Sequence, residues 1–407
     1  MGEHTDRLQF EDSLQELLSE DVSSAIKREQ TTFDQIATPF CDRLILFGAG
    51  GLGRKTLAGL RKVGIEPLSF VDNNTAFWGR EVEGIEVLSP KLAIQRYASS
   101  ATFIVCIWGA GGRHRFEHTR QQLLELGCSR VVSFAPLFWK YPDIFLPYYA
   151  IDLPHLLLPQ AEEIARAFSL WNDDASRSEF LTQVHWRLRM DFDILSSPVE
   201  HDQYFLDDLI RLSEDEVFVD CGAYDGDSVR AFFMRQPAFK GKYIAIEPDP
   251  HNILSFERYL ATLPDDLRHR IEVVPMAVGA QRGLVCFAAT GLASSGISSV
   301  GTLEVESAPL DEILENTSPT FIKMDIEGAE VDALIGAQRS IRKALPALAI
   351  CVYHQPDHLW RIPLLIQSVS DKYHFFLRPH NEEAWDLVCY AIPESRLISY
   401  SVPIGNS

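Results

Sequence analysis

The sequence predicts an α/β protein built from two doubly wound sheets, and three observations carry that reading. Short apolar runs alternate with helical periods in two separate series, over residues 44–134 and 217–393, and strands alternating with helices imply a parallel sheet covered on both faces. Each series opens on a strand that runs straight into glycines, Gly48-Ala49-Gly50-Gly51-Leu52-Gly53 in the first and Gly222-Ala223-Tyr224-Asp225-Gly226 in the second. A chain of 407 residues, 46% hydrophobic and 23% charged, is long enough for two or three domains with real cores.

Charge and cysteine usage exclude several classes. With 37 Lys and Arg against 57 Asp and Glu the formal charge is -20, so most faces repel a polyanion and no nucleic acid partner is expected. No run approaches the roughly 18 apolar residues of a membrane span. The first forty residues are acidic where a secretory leader needs a basic start and an apolar run, so a cytoplasmic protein is expected. Cys41, Cys106, Cys128, Cys221, Cys286, Cys351 and Cys389 are scattered and never spaced as CxxC, which reads as free thiols.

Residues 1–40 read as a helical segment, with Leu14, Leu17, Leu18, Val22 and Ile26 placing one amphipathic helix over Phe10 to Ile36. Residues 41–145 form the first domain. Its strands are Leu44 to Phe47, Pro67 to Val71, Phe103 to Ile107 and Val131 to Phe134, and a helix covers about Gly51 to Val63. Tyr141 to Gln160 carries four prolines and no clean period, which marks a boundary. Residues 146–213 are a connector, helical from Ala161 to Leu212 and packed through Trp171, Phe180, Trp186 and Phe192. The second domain, 214–407, has seven strands: Val217 to Asp220, Tyr243 to Glu247, Ile271 to Val278, Phe321 to Asp325, Leu348 to Tyr353, His374 to Leu377 and Leu387 to Ile392. A short loop, Arg378 to Asp386, joins the last two, so that pair can be antiparallel.

The second glycine loop is the most informative segment. A buried strand ends in Asp220, and Gly222 and Gly226 permit φ > 0 and let a ligand lie against bare backbone. Glu247 closes the next strand 27 residues later, in Glu247-Pro248-Asp249-Pro250, where a carboxylate can accept two ribose hydroxyl hydrogens. The third strand ends in Met276-Ala277-Val278-Gly279, small enough to flank an adenine ring. Any βαβ turn uses Gly and any strand can end in Asp, so the loop alone weighs evenly between a site and a plain turn.

The combination resembles class I S-adenosylmethionine-dependent methyltransferases and, within them, the FkbM-type family. The likeness rests on VFVDCGAYDGDS at 217–228, IAIEPDP at 244–250, MAVG at 276–279, FIKMDIEGAE at 321–330 and CVYHQPDHLWRIP at 351–363. It implies a seven-stranded methyltransferase sheet with an antiparallel last strand, and methyl transfer to an oxygen of a carbohydrate or secondary-product acceptor. It also implies that Asp220, Gly222, Tyr224 and Gly226 line the methionine part, Glu247 holds the ribose, and Asp249 and Ala277 lie near the adenosine. Asp325, Glu327 and His354 would face the acceptor, and all three end or follow strands, where open α/β sheets bind ligands.

An alcohol attacks a sulfonium methyl well only if its proton leaves as the bond forms. His354 titrates nearest neutrality and is the first candidate to take that proton, with Asp325 as competitor. Lys323 shares one side of its strand with Asp325, and a simple ion pair is the plain reading of both. His354, Asp357 and His358 could suggest a metal, but Pro356 interrupts the spacing and a helix-capping Asp357 explains the pattern, so no metal site is expected. His114 and His118 read as a solvated face, and the Ser- and Gly-rich Thr290 to Gly301 as an acceptor lid or a plain connection.

In the first domain, Gly48, Gly50 and Gly53 form GxGxxG, and Asp72 ends the next strand 19 residues after Gly53, which matches the Rossmann dinucleotide fingerprint. The ligand stays open between NAD, a nucleotide-sugar and a structural relic. Residues 70–90, FVDNNTAFWGREVEGIEVLSP, resemble the small Rossmann domains that precede sugar acyltransferases. The patch Gly109 to Gly112 could close over a phosphate or merely turn the chain. No tyrosine is followed four residues later by lysine, so the Tyr-x-x-x-Lys hydride-transfer pair is absent. The expectation is an S-adenosylmethionine-dependent O-methyltransferase acting on a small-molecule or glycan acceptor. Its rivals are an NAD-dependent oxidoreductase centred on the first domain and a non-catalytic ligand-binding protein. Homo-oligomerisation stays open.

Overall fold

The structure, a computed structural model, describes residues 2–109, 114–195, 197–198, 203–289, 295–297, 301 and 303–398. The chain forms two compact units, Met1–Ala165 with Ser178–Val199 and Asn381–Asp386, and Arg166–Arg177 with Glu200–His380 and Leu387–Ser407. Among the described residues no helix is long and apolar enough to cross a membrane.

The first unit begins with two helices, Gly2–Leu18 and Val22–Ala37, where one was expected. The break is a capping event: Asp21 is extended and its carboxylate accepts the Ser24 N–H, starting a new helix. Six strands follow: β1 Leu44–Phe47, β2 Ser69–Val71, β3 Glu81–Val82, β4 Ile85–Leu88, β5 Thr102–Val105 and β6 Val131–Ser133. They lie in the order β3-β4-β2-β1-β5-β6, parallel except for β3 against β4. The β3–β4 hairpin was not anticipated; Glu83 and Gly84 turn it at φ 52° and 79°, values Gly takes freely. Every residue of β1 and β5 is buried, as covered parallel strands require. Beyond β5, Trp108 packs on Phe134, Trp186 and Trp385, the last at 4.9 Å between ring centroids.

The second unit holds the expected seven-stranded sheet. Its members are β7 Val217–Cys221, β8 Lys242–Ile246, β9 Ile271–Val274, β14 Phe321–Met324, β15 Ala347–Cys351, β16 Tyr373–Pro379 and β17 Leu387–Pro393. The order is β16-β17-β15-β14-β7-β8-β9, with β17 antiparallel to both neighbours. The chain winds outward from β7 to β9 and then returns to β14 on the other side of β7, so the strand order reverses between β7 and β14. Phe218 stacks on Tyr243 and Phe321 across the three central strands and anchors them.

Two expectations need correction here. The strand foreseen over Ile271 to Val278 stops at Val274, because Pro275 has no N–H to donate to a ladder. Its end, β10 Ala277–Val278, joins a separate four-stranded sheet with β11 Gly283–Ala288, β12 Gly296–Ile297 and β13 Leu303–Ala308. Among the described residues, helix between Ala161 and Leu212 is limited to Ala161–Phe168, Asp174–Arg189 and a 3-10 turn at Phe192–Ile194, and Met190 leaves the second at φ 51°. Residues 110–112 of the Gly109 to Gly112 patch and most of Thr290 to Gly301 lie outside the described residues.

Candidate active site

Ligands of open α/β sheets bind beyond the carboxyl ends of the strands where the strand order reverses. In the second unit that point lies between β7 and β14. Gly222 leaves β7 at φ 82°, and a Cβ there would overlap the Asp325 carbonyl oxygen, so only glycine lets the two strand exits touch. Gly226 caps the helix Asp227–Arg235 at φ 88°, and a Cβ on it would run into the Phe256 ring. Tyr224 between them is also left-handed, at φ 47°.

Glu247 ties this turn to the next one. Its Oε2 accepts the Tyr224 N–H and its Oε1 the Asp249 N–H, each at 2.9 Å. Burial raises its pKa to about 7 against these hydrogen bonds. Asp249 is buried and caps the helix Pro250–Leu260, accepting the His251 N–H, while Ser295 Oγ donates to its other oxygen at 2.6 Å.

Asp220 lies beneath the loop. Its side chain is fully buried; Oδ2 accepts from the Tyr243 hydroxyl at 2.7 Å and Oδ1 faces Lys323 Nζ at 2.9 Å. Lys323 also donates to the Gly222 carbonyl at 2.6 Å. Burial would lower the lysine pKa, but Asp220, Asp325 and Asp227 raise it, so it stays charged. Lys323, for which an ion pair with Asp325 was the plain alternative to a place in the site, makes its ion pair with Asp220. Ala277 packs with Phe287 and Val305 in the core of the small sheet.

Asp325, Glu327 and His354 come together beyond β14 and β15. His354 Nε2 lies 3.4 Å from Asp325 Oδ1 and 3.7 Å from Glu327 Oε1, while its Nδ1 lies 2.8 Å from Glu330 Oε1. Glu330 is fully buried, accepts the Ile326 N–H at 3.0 Å, and faces His358 Nδ1 at 3.3 Å. Burial disfavours its ionised form, yet the two histidines hold it well below the usual carboxylate range. Burial would likewise lower the His354 pKa, but Glu330, Glu327 and Asp325 outweigh it and raise it to about 10. A ring already protonated at neutral pH does not take a proton, which argues against His354 as the base. Asp325 Oδ2 accepts from the Tyr204 hydroxyl at 2.7 Å.

Residues 220–378 match the family model described as the Methyltransferase FkbM domain. The match covers less than half of the chain and lies within the second unit. Among solved structures the chain is similar to Methyltransferase FkbM from Methylobacillus flagellatus KT, at 21% identity and a TM-score of 0.77 over 95% of this chain and 100% of that one. That likeness speaks for the fold and spans residues of both units. A precorrin-6y C5,15-methyltransferase from Geobacter metallireducens GS-15 matches 45% of this chain and 81% of its own, at 14% identity and a TM-score of 0.29, too distant to bear on the site. No curated protein matches the chain.

Three residues that join this candidate site carry little or no signal in the sequence: Glu330, Tyr204 and His358. Glu330 sat within the quoted FIKMDIEGAE stretch, and its signal was the spacing from Asp325 across a glycine turn. Tyr204 precedes the matched stretch and carried no pattern at all. His358 was set aside for a capping Asp357, but Asp357 makes no side-chain cap and instead accepts from Arg361. His114 accompanies these corrections in the first unit: it is partly buried against Thr119 Oγ1 at 2.7 Å, so the solvated face holds only for the exposed His118.

In the first unit, Gly48 leaves β1 at φ 109°, and Gly53 packs so tightly that a Cβ would overlap the Gly48 carbonyl oxygen. Asp72 Oδ2 accepts the Ala49 N–H at 2.9 Å and Oδ1 the Asn74 N–H at 2.8 Å, so this acid braces the glycine loop itself.

Proposed function

We propose that the protein transfers a methyl group from S-adenosylmethionine to a hydroxyl oxygen of a small-molecule or glycan acceptor. The observation that carries this reading is the bare backbone of Gly222 against Asp325, with Glu247 at the neighbouring strand tip, inside the stretch matching the FkbM model.

The residues fit such a cosubstrate. Gly222 and Gly226, at φ 82° and 88° and packed against Asp325 and Phe256, shape the turn on which an amino-acid tail would lie. Glu247, oriented by two backbone N–H groups, keeps lone pairs suited to a ribose diol. Asp249 fixes the turn beneath the adenosine, and Asp220 acts from below by holding Lys323 on the Gly222 carbonyl. When bound, the cosubstrate supplies an electrophilic methyl group on a sulfonium centre.

The chain's own residues supply orientation and proton acceptance. Asp325 and Glu327, with side chains 25% and 18% exposed, face outward beside the buried His354 and form the acceptor face. With His354 held protonated, Asp325 takes the proton as the acceptor oxygen gains its methyl carbon. The carbon–sulfur electron pair returns to sulfur, and charge balances. Tyr204 keeps Asp325 aimed through its Oδ2.

Calorimetry with S-adenosylmethionine, combined with detection of S-adenosylhomocysteine over a panel of hydroxylated acceptors, tests this reading. Binding lost in Glu247→Gln and turnover lost in Asp325→Asn are expected. A wild-type protein that binds no S-adenosylmethionine defeats it.

A further inference from the structure

Two consecutive residues of the small sheet reach both sides of the crevice. β12 pairs antiparallel with β11, Gly296 opposite Ala288 and Ile297 opposite Phe287, which lies in the small core with Ala277 and Val305. Ser295, just before it, donates from Oγ to Asp249 Oδ2 at 2.6 Å. Gly296 is buried against Glu327: a Cβ built on it would stand 2.7 Å from the Glu327 Cβ. Asp249 follows β8, Glu327 follows β14, and β7 lies between those two strands. The pair therefore reaches from one flank of the Gly222 turn to the other, a span of roughly 9–10 Å at two strand spacings.

Each contact acts on a group already constrained by its own turn. Asp249 Oδ1 accepts the His251 N–H, so the Ser295 hydroxyl fixes the second oxygen of the same carboxylate. Glu327 sits at φ 54°, and the Gly296 backbone fills the space beside its Cβ. The demand for glycine at 296 is steric, because Gly296 does not share the left-handed backbone of Gly222. A Cβ position is set by the backbone, so no side-chain rotation relieves that contact. A methyl group at 296 has to move the turn that carries Glu327.

We propose that Ser295 and Gly296 are positioning residues for the cosubstrate, Ser295 setting its adenosine end through Asp249 and Gly296 its methyl end through Glu327. This inference rests on the reading of the crevice as an S-adenosylmethionine site. Under that reading the adenosine lies over the turn that Asp249 fixes, and the methyl group faces the acceptor side, where Glu327 stands. One short segment pinned to the small sheet touches both ends, so it holds the two at a set separation. A ligand that carries only the nucleoside depends on the Ser295 contact alone.

Calorimetry of the full chain with S-adenosylmethionine, S-adenosylhomocysteine and adenosine separates the two ends, since the first two differ only at the methyl-bearing sulfur. Ser295→Ala should weaken all three by a similar factor, about threefold or more, and Ser295→Thr, which keeps the hydroxyl, should restore them. Gly296→Ala should change the ratio of S-adenosylmethionine to S-adenosylhomocysteine affinity about fivefold or more and leave adenosine within about twofold. Gly283→Ala, in open space at the start of β11, should change none of these. Glu327→Gly removes the atom that a side chain at 296 would meet, so Gly296→Ala combined with it should melt no lower than Glu327→Gly alone. Unmoved affinities in either site variant, a Gly296→Ala loss equal for all three ligands, or a melting loss that persists in the pair overturns the inference and leaves the cosubstrate reading standing. A wild-type chain that binds none of the three removes that reading and the inference with it.

Discussion

Gly222 and Asp325 meet backbone to backbone: the space a side chain at 222 would need is held by the Asp325 carbonyl oxygen. The exit of β7 and the exit of β14 are thereby locked into one surface. A substitution at 222 consequently disturbs the site twice, through φ 82° and through that oxygen.

Gly222→Ala should lower unfolding stability by at least the 1–3 kcal/mol or so typical of a strained residue and weaken S-adenosylmethionine at least tenfold. Gly50→Ala in the first unit has open space and φ -79°. It should change stability by well under about 1 kcal/mol and leave cosubstrate binding intact. Urea denaturation and calorimetry on both variants check this contrast.

Cosubstrate affinity should rise with pH through about 7, where Glu247 ionises. Between pH 8 and pH 6 the fall is about tenfold if only the carboxylate binds the ribose, and Glu247→Gln should be weaker and flat. The unliganded protein shows the opposite trend. Because burial raises this pKa on folding, the folded state holds the extra proton, and Glu247's contribution to stability is lost as pH climbs from about 4.3 to about 7. An affinity independent of pH in the wild type would count against the ribose assignment.

Asp220→Asn strands a buried ammonium at Lys323 and should cost about 3–5 kcal/mol. The paired exchange Asp220→Leu with Lys323→Met should recover most of that loss. It should still bind cosubstrate poorly, because the Gly222 carbonyl loses its Lys323 donor. Recovery of both stability and binding would show that the pair only fills space.

Tyr204→Phe removes the hydroxyl on Asp325 Oδ2. Since a hydrogen bond to a charged group contributes about 1.5–3 kcal/mol, turnover should drop roughly ten- to hundredfold while S-adenosylmethionine affinity holds. Steady-state kinetics with a responsive acceptor separates kcat from binding. A fall in cosubstrate affinity of the same size would move Tyr204 out of the acceptor side.

Much of this was legible in the sequence, for physical reasons. The main strands show because they are buried on both faces and read as unbroken apolar runs, as β15 does. Gly222 and Glu247 show because a turn against bare backbone and a strand-tip acid leave fixed spacings. The small sheet hid because β11 is largely exposed and the buried residues of β13 are Val305, Ser307 and Ala308, too few and too polar for an apolar period. Tyr204 hid because its placement on Asp325 depends on a left-handed φ of 70° that no residue type announces. The raised pKa of His354 hid because it follows from three carboxylates, Asp325, Glu327 and Glu330, which the sequence places near one another without giving their distances.

The hairpin joining β16 to β17 lends Asn381–Asp386 to the first unit, where the Trp385 ring packs tilted against Trp108 and the Glu383 carbonyl accepts from the Trp108 indole N–H at 2.9 Å. No single cleavage therefore yields either half whole. A fragment ending before residue 381 would leave an indole without its partner ring, and one starting at residue 200 would carry an orphaned aromatic tip, an invitation to aggregation. Gene-level shuffling of the second unit onto other partners would have to carry that six-residue loop as a graft, or redesign it.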